Sequence, residues 1–171
     1  MEAHLTWFEP LAISSSDLRN FSAFANVDTL KLQFLQIARF IPNIKHYFGH
    51  FSPRLRSITL IEPYCTPGEL SYFISLFSNL DDIEIGTWFT YSYNPEPERV
   101  PFSTPRLRGR LELRAHPWVS VWTHLIASWG GLRFRYMDLP KSAGCAPILL
   151  EACANTLETL RLHADASLGG K

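Results

Sequence analysis

Charged residues at alternate positions are the first chemistry this 171-residue sequence offers. Asp82 and Glu84, then Arg110, Glu112 and Arg114, then Arg133 and Arg135, then Arg161 and His163 each alternate with apolar residues. A period of two puts such side chains on one face of a strand, where they could form a charged groove for a protein or a peptide. A solvated sheet face laced with cross-strand ion pairs has the same pattern, and Glu84 with Arg110 or Glu112 with Arg133 are the pairs expected on it. Arg106, Arg108, Arg110 and Arg114, with Arg133 and Arg135, could also engage phosphates. Zero formal net charge and the lack of aromatic interleaving disfavour nucleic acid.

Other reactive residue types are arranged for packing rather than catalysis. His46 and His50 stand four apart, a spacing that can clamp a metal on a helix. The intervening Tyr47, Phe48 and Gly49 contain no HExxH glutamate, and no third ligand has a matching spacing, so rim histidines are expected. Cys65, Cys145 and Cys153 are odd in number and not at metal-like spacing, which points to small buried thiols in a reducing compartment. Ser14 to Ser16 form no Gly-x-Ser-x-Gly elbow, and Gly130-Gly131 is no phosphate-binding loop. Alternation gathers only Asp82 and Glu84 from the acidic run that begins at Asp81, too few to hold a cation. No catalytic residue, metal or cofactor is expected.

The elements that must position the charged residues recur along the chain. Leu5, Leu30, Ile58, Ile83, Leu111, Leu132 and Leu160 each begin an apolar-x-apolar pair, completed by Trp7, Leu32, Leu60, Ile85, Leu113, Phe134 and Leu162. Their separations are 25, 28, 25, 28, 21 and 28 residues. Three residues earlier stand Val27, Leu55, Leu80, Trp129 and Leu157; the slot fails at Glu2 and at Arg108, where Leu107 is one residue early. The period lies within about 20–29 residues, the range of leucine-rich repeats with their L-x-x-L-x-L strand core. The central outward column is then Thr6, Lys31, Thr59, Glu84, Glu112, Arg133 and Arg161, flanked by Asp82, Arg110, Arg114, Arg135 and His163.

Between the strands the period changes to that of helices. The best-formed unit is Pro53 to Trp88, where Thr66-Pro67-Gly68-Glu69 has the form of a capping box and Leu70, Phe73, Ile74 and Phe77 share one face. Ser14 to Asp17 offer caps before Leu18, Phe21 and Phe24; Ile37, Phe40, Ile41, Ile44 and Phe48 form another face, interrupted or restarted by Pro42. Trp118, Trp122, Leu125, Ile126 and Trp129 predict a further helix handing over directly to a strand, and 142–155 the last one. Pro95, Pro97, Pro101 and Pro105 forbid a regular helix in 87–106, so an extended segment or a projecting loop, Thr90 to Thr104, is expected there.

The stretch Leu30 to Ala164 resembles the leucine-rich-repeat region of fungal F-box-type proteins, most clearly in FSPRLRSITLIEPYCTPGELSYFISLFSNLDDIEI, STPRLRGRLELRAH and LLEACANTLETLRLHAD. The resemblance implies a scaffold that holds substrates for an SCF-type ubiquitin ligase. MEAHLTWFEP already reads as a strand with no helical L-P-x-E-type F-box before it, so a Skp1-like adaptor is implied only if an F-box lies outside this chain. The Asn or Cys of the repeat pattern is replaced by Pro10, Leu35, Pro63, Trp88, His116, Met137 and Asp165, which predicts irregular turns without a side-chain ladder.

The reading is therefore one domain, 1–171, possessing about seven strand units and open to being a piece of a longer protein: an irregular α/β leucine-rich-repeat solenoid with parallel strands on the concave face and short helices on the convex face. Its expected function is non-catalytic protein binding through Lys31, Thr59, Asp82, Glu84, Arg110, Glu112, Arg114, Arg133, Arg135 and Arg161. A small intracellular α/β enzyme and a truncated structural repeat chain without a ligand are the alternatives. With no run of ~18 apolar residues and no secretory signal pattern, no membrane partner is expected, and the cytoplasm or nucleus is the expected compartment.

Overall fold

The computed structural model describes residues 2–6, 26–51, 53–86, 102–114 and 119–164. The helix expected at Ser14 to Phe24, most of the loop Thr90 to Thr104, and Trp7 and Trp118 lie outside these residues.

The described chain is an α/β fold built on an all-parallel sheet. Seven strands, β1 Glu2–Thr6, β2 Thr29–Gln33, β3 Ser57–Ile61, β4 Asp82–Ile85, β5 Arg110–Leu113, β6 Tyr136–Pro140 and β7 Thr159–His163, lie side by side in sequence order. Every strand pairs only with its neighbours in the chain, so each connection must cross over and return beside the strand just left. The connections carry helices: α1 Ile37–Phe40, a 3-10 turn Ile41–Asn43, α2 Ile44–Phe48, α3 Pro67–Ile74, α4 Val119–Ser128 and α5 Ala146–Ala152. Helix α1 packs on α3, α3 on α4, and α4 on α5, so the helices follow the strands in the same order.

Alternation decides which face of each strand is buried. Leu30, Leu32, Ile58, Leu60, Ile83, Ile85, Leu111, Leu113, Met137 and Leu139 are all buried, in one core with the helix side chains Ile37, Ile44, Phe48, Leu70, Phe73, Ile74, Trp122 and Leu125. At ~1.5–3 kcal/mol per buried large side chain, the sheet's apolar face is a principal stabilising surface. Aromatic edges extend this core along the helix row, with Phe48 against Phe73 at 5.0 Å and Phe73 against Phe77 at 5.3 Å. Pro42 does not break its apolar face: it sits in the 3-10 turn between α1 and α2, and Ile41 and Ile44 stay buried on either side.

The capping box forms as its spacing predicts. Glu69 N–H donates to Thr66 Oγ1 (3.2 Å) and Thr66 N–H donates to Glu69 Oε2 (2.9 Å), with Pro67 in the first turn. The absence of an Asn ladder is met by backbone. Phe34 and Glu62, at equivalent positions just after β2 and β3, adopt φ of +56° and +52°. Beyond them the parallel pairing resumes, with Tyr64 N–H donating to Leu35 O and Ile37 N–H to Tyr64 O.

Two strand registers differ from expectation. Ala3 pairs with Leu30 and Leu5 with Leu32, so the first unit is displaced by two residues. The sixth unit is displaced by five. Leu111 pairs with Met137, not with Leu132, and Phe134 fills the slot expected for Trp129. Helix α4 does not hand over directly to a strand: Gly130 and Gly131, with φ of +70° and +99°, turn the chain first. Leu132 and Phe134 are both buried, which is why their alternation imitates a strand. The early Leu107 has a physical reason too. Its φ of +46° swings the side chain into the buried slot, and its N–H donates to Leu80 O.

A candidate protein-binding sheet face

The polar face of the sheet carries three columns of side chains in register. The central column runs Lys31, Thr59, Glu84, Glu112, Asp138 and Arg161. Asp138, unremarked in the sequence, replaces Arg133, and the strand β1 contributes the position of His4 instead of Thr6. Three carboxylates therefore stand on three adjacent strands, about 4.8 Å apart. The columns beside it hold Thr29, Ser57, Asp82, Arg110, Tyr136 and Thr159 on one side, and Gln33, Ile61, Pro140 and His163 on the other.

Two arginines on β5 and just past it neutralise the acidic centre. Arg110 lies 2.9 Å from Glu112 and 3.2 Å from Asp138. Arg114 lies 2.7 Å from Glu84 and 3.1 Å from Glu112. Thr59 Oγ1 donates to Glu84 at 3.1 Å. Cross-strand ion pairing is present, but with other partners: Glu84 takes Arg114 rather than Arg110, and Arg110 reaches Asp138, while Glu112 pairs along its own strand with Arg110 and Arg114 rather than across to Arg133. Each exposed pair is worth about 0–1 kcal/mol, so this network orders the face more than it holds the fold. Arg161 makes no ion pair among the described residues, since its neighbour Asp138 is engaged by Arg110.

His163 closes the network at the open side. Its Nε2 is 3.0 Å from Leu113 O and its Nδ1 is 3.1 Å from Ala164 O. Both partners are carbonyl acceptors, so both contacts are hydrogen bonds together only when the ring is protonated. These carbonyls hold the His163 pKa above its ordinary value, with Asp138 and Glu112 adding to the effect.

Asp82 serves the fold more than the face. Its Oδ1 accepts from Arg110 N–H at 2.6 Å, standing in for the backbone carbonyl that begins pairing at the other strands. At Gly109, just before Arg110, a Cβ would overlap the Asp82 carboxylate and force it to move.

Arg133 and Arg135 do not belong to the polar face of the strands. They precede β6 and flank the buried Phe134, on the rim where the strands begin. Arg135 donates to Glu158 from Nε (2.7 Å) and from its terminal nitrogen, and this contact raises its pKa. The same position before β3 is Arg56, 3.3 Å from Asp81, so the rim has its own pairing pattern. The single missed signal was the Arg-apolar-Arg triplet. It recurs before β3, β5 and β6, and it marks strand entry better than alternation alone.

The described thiols and indoles are packed in the core. Cys65, Cys145 and Cys153 are buried, and burial pushes the Cys145 thiol up to about 11. Trp122 and Trp129 are core side chains whose indole N–H groups meet no acceptor among the described residues. His46 packs edge-on against Tyr47 at 5.7 Å. Among the described residues no three His, Cys, Asp or Glu side chains converge to hold a metal ion, and no helix is long and apolar enough to cross a membrane. Comparison with models of protein families, with curated proteins and with solved structures finds no match for this chain.

Proposed function

We propose that this chain is a non-catalytic protein-interaction module, a leucine-rich-repeat solenoid whose polar strand face binds a protein or peptide. The observation that carries this reading is the in-register arrangement of Lys31, Thr59, Glu84, Glu112, Asp138 and Arg161 on six consecutive parallel strands. Such a face can vary its side chains without disturbing the core behind it, because outward and inward residues alternate. Arg161 at one end, the acids in the middle and Lys31 at the other end offer an alternating charge pattern to a partner.

Within this reading the repeats follow the fungal F-box-type resemblance, and the partner is a substrate presented for ubiquitination. Affinity purification with mass spectrometry tests both levels. Wild-type bait should retain a partner set that the triple variant Lys31→Glu, Glu84→Lys, Glu112→Lys loses by tenfold or more. Retention of every partner by the triple variant sinks the strand-face reading. Recovery of a Skp1-like adaptor with bait supports the ubiquitin-ligase level, and a partner set without one removes that level alone.

A further inference from the structure

Each described strand from β2 to β7 is entered through a triplet with a buried or half-buried apolar centre. They are Asn26-Val27-Asp28, Arg54-Leu55-Arg56, Asn79-Leu80-Asp81, Arg106-Leu107-Arg108, Arg133-Phe134-Arg135 and Thr156-Leu157-Glu158. Burying the centre turns the flanking residues away from it, and the six arginines among them are all exposed. Backbone bonds hold these rim positions at the spacing of the strands: Arg56 and Ser57 N–H donate to Asp28 O, Asp81 and Asp82 to Arg56 O, Gly109 to Asp81 O, Arg135 and Tyr136 to Gly109 O, and Glu158 and Thr159 to Arg135 O. The rim is a built surface, not a chance scatter of side chains.

Its charge is one-sided. Six arginines face three carboxylates, in a chain whose formal net charge is zero. Arg54 bonds to Asn26, Arg56 and Arg106 approach Asp81 at 3.3 and 3.7 Å, and Arg135 holds Glu158. Arg108 and Arg133, at the entries of the neighbouring strands β5 and β6, are exposed and have no ion pair among the described residues. Next to them stands Tyr136, 45% exposed, the first residue of β6 and in register with Arg110. Arginine and tyrosine are the residue types most often found at the energetic centres of protein interfaces.

We propose that the rim formed by Arg106, Arg108, Arg133 and Arg135, with Tyr136 beside it, docks an extended acidic segment of a protein partner. This deepens the protein-binding reading above, and rests on it for the kind of partner. The rim's own guanidiniums already choose carboxylates, at Asp81 and Glu158, so a partner's Asp or Glu side chains continue an existing pattern. Side chains on one side of an extended segment repeat every ~6.6–6.8 Å, within reach of flexible arginines on strands ~4.8 Å apart. A nucleic acid would be drawn by a longer stripe and a positive net charge, neither of which is present here.

Fluorescence anisotropy with the full chain tests the proposal, using three labelled probes: a peptide of alternating Asp and Glu about ten residues long, a lysine peptide of equal length, and a single-stranded RNA of similar length. The acidic peptide should bind, weaken as salt is raised, and lose tenfold or more in affinity to the variant Arg108→Glu, Arg133→Glu. The control variant Arg39→Glu, an exposed charge change in helix α1 after β2, should leave its affinity within twofold. Both arginines are exposed and have no ion pair among the described residues, so the double variant should keep the wild-type melting curve. Equal binding of the acidic peptide by wild type and double variant overturns the proposal, as does RNA binding more tightly than the peptide. The purification experiment above separates the two readings: a rim variant that keeps all partners while the strand-face variant loses them removes the rim alone.

Discussion

Single residues here act by what they permit a neighbour to do. Gly109 leaves room for the Asp82 carboxylate, which in turn receives Arg110 N–H and starts β5. Gly109→Ala should therefore cost about 1–3 kcal/mol, since it displaces that acceptor. In an Asp82→Ala background the same change should cost at least about 1 kcal/mol less. A urea-denaturation cycle measures this, and additive costs would remove the account. His163 is the second case. Its pKa is raised in the folded chain, so the linked stability is full below the ordinary imidazole value and is lost as pH rises through the raised one. His163→Ala should destabilise more at about pH 5.5 than at about pH 9. An NMR titration placing the His163 pKa at or below its ordinary value would contradict the doubly donating ring.

At the scale of the element, equivalent leucines differ according to what covers them. Ile58 and Leu60 of β3 are fully buried, while Leu160 and Leu162 at the matching positions of β7 are 39% and 52% exposed. Helix α5 buries only Leu149 among its own residues, so it covers the last strand less completely than α3 covers β3 and β4. Leu60→Ala should cost about 2–5 kcal/mol, whereas Leu162→Ser should change stability by less than about 0.5 kcal/mol. Chemical denaturation of the two variants side by side checks this contrast, and equal costs would mean that β7 is covered as β3 is.

The whole molecule is a row in which each strand leans on its two neighbours, so protection should be graded along it. Strands β3 and β4 are flanked on both sides and backed by Phe73, Ile74 and Phe77, whereas β7 has one strand partner among the described residues. Amide hydrogen exchange should be slowest in β3 and β4 and fastest in β7, because outer units open at less than the global free energy. Uniform protection from β3 to β7 would instead mark the row as one cooperative block.

The sequence by itself determined the repeating strand, the capped helix α3, the α1–α2 apolar face and the outward charges of β4 and β5. All of these follow from local periodicity and side-chain chemistry, legible in residues such as Leu55, Ile58, Thr66 and Glu69. It could not decide between Leu132 and Met137 as the centre of the sixth strand, since buried Leu132 and Phe134 alternate as a strand would. Only pairing with β5 resolved that register, and it moved Arg133 and Arg135 from the polar face to the rim while bringing in Asp138. Tertiary structure also assigned the ion pairs, because which arginine meets Glu84 depends on where the strand before it ends. Side-chain character is local, but the neighbour a charge finds is set by register, which is a property of two strands at once.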